Sequence, residues 1–130
     1  YCHPRPDMKQ KDLVAGLAGG VQKKDDSAPA IPPTPGAVHS ADIEYQMGNL
    51  PTNDVFDWKA DDYAVSEVFL KFFVNFIKTG NPNGLGLPTW DPINGKAVAP
   101  VMMIDRQSRQ EILPDVEARY RFIDKCLMKK

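Results

Sequence analysis

The sequence predicts a mixed fold of helix and strand, with two substantial helices around a small pair of strands. Three observations predict it. Val65, Val68, Phe69, Phe72, Phe73, Phe76 and Ile77 recur at three- and four-residue spacing, the period of an amphipathic helix. Val101-Met102-Met103-Ile104 is a short apolar run, and Glu111-Ile112-Leu113 follows it across a turn, the pattern of paired strands. Val116, Tyr120, Ile123 and Leu127 then return to helical spacing.

Taken in order, Tyr1 to His3 reads as the tail of an extended segment. Pro4 to Pro35 is linker-like, with six prolines, the Gly19-Gly20 pair and the charged run Lys23-Lys24-Asp25-Asp26. Such a composition resists packing and favours loop or polyproline geometry. Within it, Asp12 to Ala18 is expected as a short helix. Residues 1–35 therefore form one zone, a strand end with a Pro-, Gly- and charge-rich loop, and residues 36–130 form the other. The second zone opens on a Gly-led turn carrying His39. A short helix should begin near His39 or Ser40, with Ile43 and Met47 on one face and Gly48 as its stop. The long helix spans Asp61 to Lys78, with Asp61 or Asp62 as N-cap, Lys78 in the last turn and Gly80 just past the end. Asn81-Pro82-Asn83-Gly84 must turn, because Pro cannot extend the helix and Asn and Gly tolerate left-handed backbone. Pro114 ends the second strand, and Asp115 suits the N-cap of the last helix.

The net charge of −1 gives no electrostatic reason to bind nucleic acid or an anionic membrane. No apolar run approaches the roughly 18 residues of a membrane span. A chain opening on Tyr1 rather than Met reads as a processed or excised segment. Cys2 and Cys126 lie at opposite ends, lack metal-site spacing and are expected as free thiols. No metal and no cofactor are expected.

One histidine stands in a setting suited to chemistry. A hydroxyl is a poor nucleophile at neutral pH, and a neutral imidazole within reach can take its proton and return it to the leaving group. Such a base must sit on a fixed turn with its ring free, and Gly36-Ala37-Val38-His39 before a helix can present it so. A single loop histidine, taken alone, is more often a surface residue. His3, between Cys2 and Pro4, has no motif around it and reads as structural or exposed. The serines Ser27, Ser40, Ser66 and Ser108 lack the Gly-x-Ser-x-Gly setting of a hydrolase nucleophile. Ser66, inside the long helix, reads as a packing or hydrogen-bonding residue, and the phenylalanines read as helix core before ligand box.

Gly36 to Tyr45 with Gly48-Asn49-Leu50, then Asn75-Phe76-Ile77-Lys78-Thr79-Gly80-Asn81-Pro82-Asn83-Gly84, then Leu87-Pro88-Thr89-Trp90, together resemble the C-terminal region of type-B carboxylesterases. That α/β-hydrolase family includes cholinesterases and bacterial para-nitrobenzyl esterases. The resemblance runs from about Pro35 to Leu127. Gln46-Met47 departs from it, standing where the family often carries an apolar residue and Phe.

The resemblance implies a C-terminal portion of an α/β-hydrolase fold, incomplete as a domain: a strand end, the His loop, two main helices and a small C-terminal strand pair. It implies a Ser-Asp/Glu-His triad of which only His39, the general base, lies here, so that this chain alone is inactive. Asp42 falls where the family carries Asp or Glu. It either supports the turn through backbone hydrogen bonds or is a plain acid at a helix N-terminus. The implied partners are a small-molecule carboxylic ester and the remainder of the hydrolase domain. A Phe-rich helix face left uncovered would drive self-association. The alternative is a non-catalytic protein-binding module derived from the same fold, as some family members have lost catalysis.

Overall fold

The computed structural model describes residues 1–15, 21–27, 36–95, 99–113 and 115–128. Two short strands come first, β1 (Leu13–Ala15) and β2 (Val21–Lys23), then helix α1 (Ile43–Met47) and a 3-10 turn over Leu50–Thr52. Helix α2 (Ala60–Thr79) follows, then strands β3 (Pro100–Met103) and β4 (Arg109–Ile112), and helix α3 (Val116–Leu127). Among the described residues both sheets are two-stranded and antiparallel.

The long helix forms where its periodicity demands, one residue longer at each end. Its start differs from expectation. Lys59 is the N-cap, and Asp62 sits at the third helical position, accepting the Lys59 backbone N–H at 2.7 Å. That is the carboxylate half of a capping box. At the other end Gly80 takes φ 74°, and its N–H closes on the Phe76 carbonyl at 2.8 Å. The Phe-rich surface divides in two. Phe69 and Phe72 are buried with Val65, whereas Phe73, Phe76 and Ile77 are exposed. Tyr45, Leu50, Met102 and Ile104 complete the core, with Trp58 and Trp90 packed at its edges. Full burial of each such side chain contributes about 1.5–3 kcal/mol.

Several elements depart from the sequence reading. The expected helix at Asp12–Ala18 begins instead as β1, paired Leu13↔Lys23 and Ala15↔Val21. Residues 16–18 of that expected helix lie outside the described residues, and Gly16 within its span disfavours a helix by roughly 1 kcal/mol. In the supposed linker, Pro4 to Lys9 is docked rather than free. Met8 bridges Phe56, the Asp57 N–H donates to Asp7 O at 2.9 Å, and the Lys9 N–H donates to Val55 O at 2.9 Å. The polyproline reading of Pro29 to Pro35, the Gly19-Gly20 pair and the Pro114 stop lie outside the described residues. Strand β3 is buried on one face only, through Pro100 and Met102, because a two-stranded ribbon covers alternate side chains. In α1 the buried residue is Tyr45, and the Ile43 and Met47 face is exposed. Helix α3 occupies the expected span but buries none of its residues. Both cysteines are free.

Candidate active site

The segment bearing His39 is fixed at four points. Gly36 takes φ 78°, and a Cβ there would stand 3.3 Å from the carbonyl oxygen of Cys2, so side-chain-free backbone packs against the N-terminal segment. The Ala41 N–H donates to Val38 O at 3.1 Å, closing a turn with His39 and Ser40 at its centre. Ser40 lies at φ 61°, a left-handed conformation uncommon outside glycine. Ala41 is fully buried and anchors the turn to the core. Helix α1 then begins, capped at its far end by Gly48, where a Cβ would meet Leu70 Cδ2 at 2.7 Å.

His39 itself is exposed, and its ring makes no hydrogen bond or ion pair with any described residue. The backbone is held and the ring is free. Asp42 does not reach it. Asp42 is the N-cap of α1 without a side-chain cap bond, and its Oδ2 accepts Gln46 Nε2 at 3.4 Å. Glu44, in the first turn of α1, pairs with the Arg5 guanidinium and accepts Asn53 Nδ2 at 3.0 Å.

Beneath α1 lies a polar network that the sequence reading missed. His3 is buried, with Nε2 2.9 Å from Asp62 Oδ1 and Nδ1 3.0 Å from Asp105 Oδ1. The Tyr45 hydroxyl donates to Asp62 Oδ1 at 2.5 Å, and Ser66 Oγ donates to the Tyr45 carbonyl at 2.8 Å. Burial opposes ionisation of Asp105, yet the Arg106 N–H and the His3 ring outweigh it and hold its carboxyl below the usual range. Burial, reinforced by the bond to Asp62, pushes the Tyr45 hydroxyl well above its usual value. Cys2, half-buried beside Asp105, has its thiol pushed up by burial first and by that negative charge second. A raised thiol is a poor nucleophile. His3 left no signal to find, because its partners lie 59 and 102 positions away.

A groove of about 670 Å³ opens elsewhere, walled by Phe72, Phe73, Phe76, Trp90, Pro92 and Ile93. It includes neither His39 nor Asp42. Ser66 and the buried phenylalanines serve packing and hydrogen bonding, as their helical positions suggested.

The sequence profile of the carboxylesterase family matches residues 20–122, a span that includes the His39 turn, α1, α2 and both C-terminal strands. The chain belongs to the carboxylesterase family. Its membership implies the α/β-hydrolase fold, of which three helices and two small sheets are described here. The chain is 36% identical over 67 residues to human (Homo sapiens) bile salt-activated lipase, covering 49% of this chain and 9% of the lipase. It is 32% identical over 63 residues to pyrethroid hydrolase Ces2e of Rattus norvegicus, covering 48% of this chain and 11% of that enzyme. Pyrethroid hydrolase Ces2a of Mus musculus is 30% identical over 54 residues, 42% of this chain and 10% of the enzyme. Each match spans about a tenth of the relative's length. The chain is of ester-hydrolase lineage, and no helix among its described residues is long and apolar enough to cross a membrane.

Proposed function

We propose that this chain is the C-terminal segment of a serine carboxylic-ester hydrolase, and that His39 is the general base of its Ser-Asp/Glu-His triad. The observation that carries the proposal is a free, exposed imidazole on a turn anchored at Gly36, Ser40 and Ala41, inside the family-matched span. A base must accept the nucleophile's proton through one ring nitrogen while a carboxylate holds the other. The His39 ring is engaged by no described residue and is open to both partners. The chain carries no Gly-x-Ser-x-Gly, so nucleophile, acid and oxyanion hole belong to the remainder of the hydrolase domain. The substrate class is a small-molecule carboxylic ester, in keeping with the hydrolase and lipase names of its relatives.

Two assays test this. Residues 1–130 alone should hydrolyse a p-nitrophenyl ester no faster than free imidazole. Saturable turnover abolished by a serine-directed inhibitor would contradict the division of roles. In the longer hydrolase, labelling by a fluorophosphonate should slow by orders of magnitude in His39→Ala. A parent that carries no reactive serine would instead support the alternative, a protein-binding module on the esterase fold.

A further inference from the structure

We propose that Arg5 is a positioning residue for the His39 turn, acting through the carbonyl of Ser40. The proposal rests on the reading of His39 as the general base. Ser40, the residue after His39, sits at φ 61°, a conformation that a non-glycine residue keeps only when its surroundings fix it. Two donors converge on its carbonyl oxygen: the Ile43 N–H at 3.4 Å and Arg5 Nη2 at 3.3 Å. The same guanidinium pairs with Glu44 in the first turn of α1. It also lies over the Phe56 ring, with Cζ 4.9 Å from the centroid.

Arg5 thus ties three pieces together: the docked N-terminal segment, the turn bearing His39 and the helix that follows. Nη2 alone serves both the carbonyl and the carboxylate, while the flat face of the guanidinium rests on the Phe56 ring. A lysine places one point charge and loses part of that geometry. Arg5 is itself held from behind, because Met8 bridges Phe56, the residue it stacks on. A general base works through geometry, and a misplacement of about 1 Å costs on the order of 100-fold in rate. Loosening the Ser40 carbonyl should move the imidazole by that kind of distance without touching substrate.

The test is a double-mutant cycle in the full-length hydrolase. Arg5→Ala should lower kcat by roughly 10- to 100-fold, with KM within about two-fold. Arg5→Lys should recover part of the loss. In His39→Ala, adding Arg5→Ala should cost nothing further, because the two act as a unit. Wild-type kcat in Arg5→Ala overturns the proposal. So does an equal fractional loss in both backgrounds, which would mark a general structural role. If His39→Ala keeps wild-type turnover, the base assignment fails and this proposal with it. If His39→Ala is inactive and Arg5→Ala is not, only the positioning role fails. Should Arg5→Ala not fold, Arg5→Lys decides: reduced kcat at unchanged Tm supports the role, and wild-type kcat overturns it.

Discussion

Nε2 of His3 lies 2.9 Å from Oδ1 of Asp62, joining the first residues of the chain to the first turn of the long helix. That oxygen also accepts the Tyr45 hydroxyl, and the second oxygen of Asp62 accepts the Lys59 N–H. Asp105 faces the other ring nitrogen while accepting the Arg106 N–H. Each ring nitrogen of His3 thus faces a carboxylate oxygen, Asp62 on one side and Asp105 on the other. This buried cluster fastens α1, and with it the His39 turn, to α2 and to the end of β3.

Replacing His3 by Ala should therefore be costly to stability rather than neutral. It leaves the nearly buried carboxylate of Asp62 without one of its hydrogen-bond partners, a loss of about 1–3 kcal/mol. The exposure of Asp105 on its outer side places the expected loss at the lower end of that range. Denaturant unfolding of His3→Ala checks it, and unchanged stability would show that the network is not engaged in solution.

The Asp105 carboxyl lies below its ordinary value of 3.8. A group depressed in the folded state stabilises the fold at pH above the unfolded value and loses that contribution as pH falls through the folded one. Unfolding should therefore grow easier below about pH 4, and Asp105→Asn should flatten that acid limb while lowering stability at neutral pH. A variant with the same acid limb as wild type would remove Asp105 from the explanation.

What the sequence made legible follows from the range of the forces involved. Helices α2 and α3 and the Gly48 and Gly80 stops rest on local period and backbone preference and stand within a residue of expectation, and the strand pair forms one residue early in β3 and two in β4. The side of each helix that is covered depends on distant partners. That is why Ile43 and Met47 proved exposed and Tyr45 buried, and why α3 shows an apolar face with no cover among the described residues. The site divides the same way. The turn around His39 carried its own motif, whereas Arg5 and His3 work through residues far away in sequence. Asp42 stands three positions from His39 and its carboxylate meets Gln46, whereas Glu44 pairs with Arg5, whose guanidinium also meets the Ser40 carbonyl.

The split of the phenylalanine surface gives opposite outcomes for two similar substitutions. Phe72 is 1% exposed, packed edge-on to Trp90 at 5.4 Å, and Phe72→Ala should destabilise by about 3–5 kcal/mol. Phe76 is 58% exposed, and Phe76→Ser should stay within about 0.5 kcal/mol while reducing binding of an apolar dye. Thermal unfolding and dye fluorescence of the two variants check this. Equal destabilisation would mean that the groove wall is closed core.

The assignment of His39 as general base is tested most directly by steady-state hydrolysis of a p-nitrophenyl ester in the full-length hydrolase. His39→Ala should lower kcat by about 10⁴-fold or more at unchanged Tm, because loss of one triad member leaves only the contribution of binding and oxyanion stabilisation. His3→Ala, where it remains folded, should stay within a few-fold of wild type despite its lower stability. Wild-type turnover in His39→Ala, or an equal loss of turnover in the folded fractions of both variants, would contradict the assignment.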